Sequence, residues 1–84
     1  MSKSIFTTEY ALFLNHLRFA RKAAGLTQKQ LAERLGQTQS FVSKCERGER
    51  RIDIVELRGF CQAIGISLND FILQLETSIQ QRSK

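Results

Sequence analysis

Between Gly25 and Gly48 the chain reads GLTQKQLAERLGQTQSFVSKCERG. Thr27 can accept from a backbone N–H three residues on, and Gln30 can reach back to close a capping box. Leu31, Ala32 and Leu35 then fall at helical spacing, and Gly36 stops the helix. Thr38 opens a second helix with Val42 and Cys45 on its inner face and Phe41 at the edge. Gly48 stops that one. Two helices this short bury little against each other. The glycine turn between them fixes their angle, and so aims whichever face the second helix leaves exposed.

The rest of the chain is read around that pair. There is no proline, and apolar residues recur at three and four rather than at two, so the fold class is all-α. Five helices are expected. The first runs from Thr8 to Ala24, with Phe13, Leu17, Ala20 and Ala24 as its stripe and Gly25 as its stop. The second runs from Thr27 to Leu35, and the third from Thr38 to Arg47. A polar connector, Glu49 to Ile52, leads to a fourth from Asp53 to Ile64. Asp53 and Glu56 cap it, and Ile54, Leu57, Cys61 and Ile64 form its stripe. The fifth runs from Ser67 to Ile79, followed by a frayed polar tail. The 84 residues fit one domain with one modest core at about 8–79 and flexible termini.

The fifth helix carries more apolar residues than one stripe needs. Leu68, Ile72, Leu75 and Ile79 share a face, Phe71 borders it, and Leu73 points away. A small domain does not leave that much apolar surface in water, so the face is expected to bind a second copy of the chain.

Several function classes are excluded by what the residues do not assemble. No apolar run approaches the ~18 residues of a membrane span. The first ten residues do not resemble a secretory signal, so a cytoplasmic protein with no membrane partner is expected. Cys45, Cys61 and His16 are the only such ligands and are too scattered for a metal site. Both cysteines lie in apolar helical patterns and read as buried free thiols. No nucleophile, base or carboxylate cluster accompanies His16, and no glycine loop cradles a phosphate. Neither an enzyme nor a cofactor is expected.

The charge is informative through its placement. The net charge is +5. From His16 to Arg51 nine basic side chains oppose only Glu33, Glu46 and Glu49, so that segment carries +6 and the remainder −1. Excess positive charge thus coincides with the two-helix unit, as expected of a protein that binds a polyanion.

Gln28, Ala32, Gly36, Val42 and Cys45 fall at the spacing of the helix-turn-helix pattern. Together with the flanks LRFARKAAGLTQ (Leu17 to Gln28) and SKCERGER (Ser43 to Arg50), the segment resembles the Cro/cI-type repressors, the XRE family, over about Leu12 to Ile72. The resemblance implies a five-helix, lambda-repressor-like DNA-binding domain with its helix-turn-helix at helices two and three. It also implies a partly buried ion pair between Arg21 and Glu46, locking helix one against helix three. Gln28, at the start of helix two, would bridge a DNA phosphate and the recognition helix.

Helical geometry assigns the remaining contacts. With Val42 inward, Ser40, Ser43 and Arg47 point outward, flanked by Gln39 and Lys44. Gln39 can bind adenine in a bidentate manner and Lys44 can reach guanine. Thr38, at the helix start on the side of Val42, and Gln37, just before it and placed for a phosphate or the groove edge, complete the DNA-binding set. Arg47, Arg50 and Arg51 follow as backbone clamps, whereas Arg18 and Lys22 fit either a phosphate or solvent. Phe41 fits packing between helices two and three better than contact with a thymine methyl.

The expected function is a sequence-specific DNA-binding transcriptional regulator, acting as a repressor on double-stranded DNA. It would bind an inverted repeat as a homodimer through Leu68, Ile72, Leu75 and Ile79, with helix three in the major groove. Two alternatives use the same fold: a restriction–modification controller, and the antitoxin of a toxin–antitoxin pair, whose main partner would be the toxin.

Overall fold

The computed structural model describes residues 7–82. They form five helices: α1 (Thr8–Ala23), α2 (Gln28–Leu35), α3 (Gln39–Arg47), α4 (Ile54–Ile64) and α5 (Leu68–Arg82). No strand occurs among the described residues. Residues 1–6, 83 and 84, where flexible termini were expected, lie outside them.

Each helix begins where a side-chain oxygen can satisfy an otherwise unpaired N–H. Thr27 accepts from the Gln30 amide at 3.0 Å, and Gln30 Oε1 accepts from the Thr27 amide at 2.9 Å. Asp53 and Glu56 make the same reciprocal pair at 2.7 and 3.0 Å. Thr38 accepts from Phe41 N at 3.1 Å, and Ser67 from Asp70 N at 3.0 Å. The cap of α1 is Thr7, one residue before the expected start at Thr8, its hydroxyl accepting from Tyr10 N at 3.0 Å. Two adjacent threonines offer the same chemistry, and the chain turns at the first.

The turn between α2 and α3 depends on Gly36, which has a φ of +69°. There the Gly36 amide donates to Glu33 O at 3.2 Å and the Gln37 amide to Ala32 O at 2.9 Å, closing the helix end. Three residues separate the two helices, and α2 makes its most extensive helix contact with α3.

The core is built from Leu14 and Leu17 of α1, Leu31 and Ala32 of α2, Val42 and Cys45 of α3, Leu57, Phe60 and Cys61 of α4, and Phe71 of α5. Three stripe assignments change. In α1 the buried residues are Phe13, Leu14, Leu17 and Arg21; Ala20 is half-buried and Ala24 exposed, because the helix ends before Ala24 can turn inward. In α4, Ile54 is 60% exposed and Phe60 is buried. Ile54 is the first helical residue and projects past its neighbours. In α5, Phe71 is fully buried rather than bordering the inner face. Its ring meets Phe13 edge-on at 6.0 Å and lies 4.9 Å from the His16 ring.

That rotation has a simple cause. Phe71 is the largest apolar side chain on α5, and burying it removes the most surface from water. Leu68, Leu75 and Ile79 are then half-buried and Ile72 is 41% exposed, so the stripe lies to one side of the core. The helix also continues past Ile79 to Arg82. Gln80 and Gln81 are good helix formers, and neither glycine nor proline intervenes.

Candidate nucleic-acid interface

The recognition candidate is α3, and its inner face is settled by burial. Val42, Cys45 and Glu46 point into the protein. Gln37, Thr38, Gln39, Ser40, Lys44 and Arg47 are exposed, and Ser43 is half-buried. A continuous polar strip therefore runs along the outside of a nine-residue helix. Along it Arg47 folds back, with Nη1 donating to Ser43 Oγ and Nε to Glu49 Oε2 at 2.9 Å. The Arg47 guanidinium in turn holds the Glu49 carboxyl below its usual range.

The inner face of α3 ends on a buried carboxylate. Glu46 Oε2 accepts from Arg21 Nε at 2.7 Å, and Oε1 accepts from Arg21 Nη2 at 3.1 Å. Gln28 Nε2 adds a donor to Oε1 at 3.0 Å. Arg21 also donates to Leu26 O at 2.8 Å, and Arg18 Nη1 to Glu46 O at 2.5 Å. Groups from α1 and α2 thus converge on one α3 residue. Arg18, which sequence reasoning left undecided, is part of this cluster. The signal was its position one turn before Arg21, which puts both on the same side of α1.

Gln28 consequently has one amide N–H committed to Glu46. Its second N–H and its position at the first turn of α2 remain compatible with a phosphate.

The arginines beyond α3 lie in different surroundings. Arg50 forms a two-pronged pair with Glu56, Nη1 to Oε1 at 3.1 Å and Nη2 to Oε2 at 2.7 Å. Its guanidinium lies 4.9 Å from the centre of the Phe41 ring. Arg51 lies over the Tyr10 ring at 4.4 Å, and Tyr10 Oη accepts from Ile52 N at 3.3 Å. Sequence spacing places Arg47, Arg50 and Arg51 together; in the structure each has its own protein partner. Glu56, seen in the sequence only as a cap, was missed as the partner of Arg50.

The two thiols offer no reactive site. Cys45 and Cys61 are both buried and free, and burial pushes both thiols up, with Arg50 partly opposing this at Cys45. No helix among the described residues is long and apolar enough to cross a membrane.

Five helices in which a glycine turn presents α3 over α2 define a helix-turn-helix protein. The helix-turn-helix family profile matches residues 17–71. An XRE-family-like protein from Pseudomonas syringae pv. tomato superposes with a TM-score of 0.82 at 47% identity, covering 90% of this chain and 93% of that one. The chain therefore belongs to the XRE family of helix-turn-helix proteins. The clp gene regulator ClgR from Corynebacterium glutamicum is similar at a TM-score of 0.77 and 25% identity, covering 92% of this chain and 82% of that one. The wild-type restriction–modification controller protein C.Esp1396I superposes at 0.81 with 21% identity, over 89% of this chain and 97% of that one, and shares the fold. A protein of Sinorhizobium fredii described as an uncharacterized HTH-type transcriptional regulator is 38% identical over 47 residues. That match spans 56% of this chain and 61% of the relative's length.

Proposed function

We propose that the protein is a transcriptional regulator that binds a specific double-stranded DNA site as a homodimer and represses by occupying it. The observation that carries this is the polar strip on α3, aimed outward by a buried carboxylate on the same helix. An exposed polar helix face is common; one whose opposite side is fixed by hydrogen bonds from α1 and α2 is built to hold a direction.

In this reading α3 enters the major groove, with Gln39 and Lys44 reading base edges and Ser40 and Ser43 adding less selective contacts. Gln28, Gln37, Thr38 and Arg47 bind the backbone around the groove, supplying affinity without sequence information. The half-buried stripe on α5 joins two copies. Two copies of α3 in successive major grooves would read half-sites one DNA turn (~34 Å) apart, which suits an inverted repeat. Such a regulator would work in the cytoplasm, where the DNA is accessible.

Selection from random DNA sequences, run with a measurement of mass in solution, tests this. The expected result is an inverted-repeat site, affinity that falls steeply with salt, and a dimer mass. Recovery of no preferred sequence would sink the reading.

A further inference from the structure

Arg50 follows the recognition helix in a basic run, and its sequence position suits a phosphate clamp. Its geometry suits something else. The planar fork is spent on Glu56 through two parallel hydrogen bonds, and Nη1 also reaches Arg51 O at 3.1 Å. A phosphate would have to displace a bidentate carboxylate to bind there.

The carboxylate is not a loose surface partner. Glu56 Oε1 also accepts the Asp53 N–H at 3.0 Å as half of the capping box of α4, so Glu56 is oriented from two sides. Below the guanidinium lies Phe41, whose ring centre is 6.2 Å from that of Phe60, a buried core residue. Phe60, Phe41, Arg50 and Glu56 thus form a chain of contacts from the core, through the first turn of α3, to the cap of α4.

We propose that Arg50, clamped by Glu56 and laid over Phe41, is a positioning strut that aims the N-terminal turn of the recognition helix and is not a phosphate ligand. The proposal rests on the DNA-binding reading above and names a device within it. Glu46 anchors the last turn of α3. The strut anchors the first, where Gln39 and Ser40 immediately precede Phe41. Two anchors at opposite ends fix a helix axis, whereas one would leave it free to pivot.

Binding to the selected site, measured across a salt series for wild type, Arg50→Gln, Glu56→Gln and the double variant, tests the strut. The same four proteins are unfolded without DNA, and helical content is checked by circular dichroism. Expected are losses of affinity of roughly three- to tenfold for each single variant, with the double variant no worse than either, as for residues acting through one contact. The slope of log affinity against log salt stays at the wild-type value. A slope reduced by about 0.9 in Arg50→Gln, the signature of one lost phosphate contact, with Glu56→Gln binding at least as tightly as wild type, would overturn the proposal. If wild type has no preferred site, the DNA-binding reading fails and the unfolding cycle alone judges the strut. Non-additive losses support it, and additive losses overturn it.

Discussion

Arg21 and Glu46 lie 25 residues apart and form a two-pronged ion pair, 2.7 and 3.1 Å long, with Arg21 7% and Glu46 1% exposed. A carboxylate this deep is tolerable only because Arg21 pairs with both its oxygens and Gln28 adds a further donor. Removing one partner leaves a buried charge without compensation. Arg21→Met and Glu46→Ala are each expected to destabilise the fold by roughly 3–5 kcal/mol. The double variant should cost far less than the sum of the two, because neither charge is then left alone. Urea unfolding of the four proteins checks this; additive losses would mean the pair contributes little as a pair.

Gly36 and Gly59 offer substitutions of opposite sign. At both positions an added Cβ meets nothing within 4 Å, so packing does not decide the outcome. Gly36 has a φ of +69°, a conformation that costs a side chain about 1 kcal/mol. Gly59 sits inside α4 in an ordinary helical conformation, where alanine gains roughly 0.5–1 kcal/mol. Gly36→Ala should therefore lower the thermal midpoint by about 4–8 °C, and Gly59→Ala should raise it by about 2–8 °C. Scanning calorimetry reads both directly.

These cases show what was legible in the chain. The helix starts, and the stops set by glycine, were, because caps and left-handed glycines act within three or four residues; the end of α5, with no such residue after it, was not. The pairing of Arg21 with Glu46 came through resemblance, not spacing. The rotation of α5 was not legible. Phe71 and the Leu68–Ile72–Leu75–Ile79 stripe both fit a helical period, and only the shape of the cavity left by α1 and α4 chooses between them. Nor was the Arg50–Glu56 pair, which spans an irregular connector with no period to follow. The polar strip on α3 was legible because burial of Val42 and Cys45 fixes its opposite face.

Glu56 makes stability depend on pH. Arg50 foremost, and then the Asp53 N–H, hold its carboxyl below the ordinary 4.5. The unfolded chain therefore takes up this proton more readily than the folded one. The stabilisation is complete above the unfolded value and is lost as pH falls through the lower folded value. Thermal midpoints measured from about pH 6 down to about pH 3 should fall, and Glu56→Gln should flatten part of that fall. Glu49 is also held low, by Arg47. Both partners of that pair are more than half exposed, so solvent screens it and Glu49→Gln should change the profile little. An unchanged profile in Glu56→Gln would show that its carboxylate is not held as the geometry implies.

Ile72 and Leu73 are neighbours on α5 that separate two faces of one helix. Ile72 is 41% exposed and lies on the stripe with Leu68, Leu75 and Ile79; Leu73 is 66% exposed and points some 100° further round. If the stripe joins two copies, a charge at Ile72 must be desolvated in the interface, whereas one at Leu73 stays in water. Ile72→Glu is expected to convert a dimer to a monomer by sedimentation and to abolish any dependence of the thermal midpoint on protein concentration. Affinity for an inverted repeat should drop sharply while affinity for a single half-site holds. Leu73→Glu should keep the wild-type mass and affinity. The reverse pattern would move the interface to the face that carries Leu73, and a monomeric wild type would remove it.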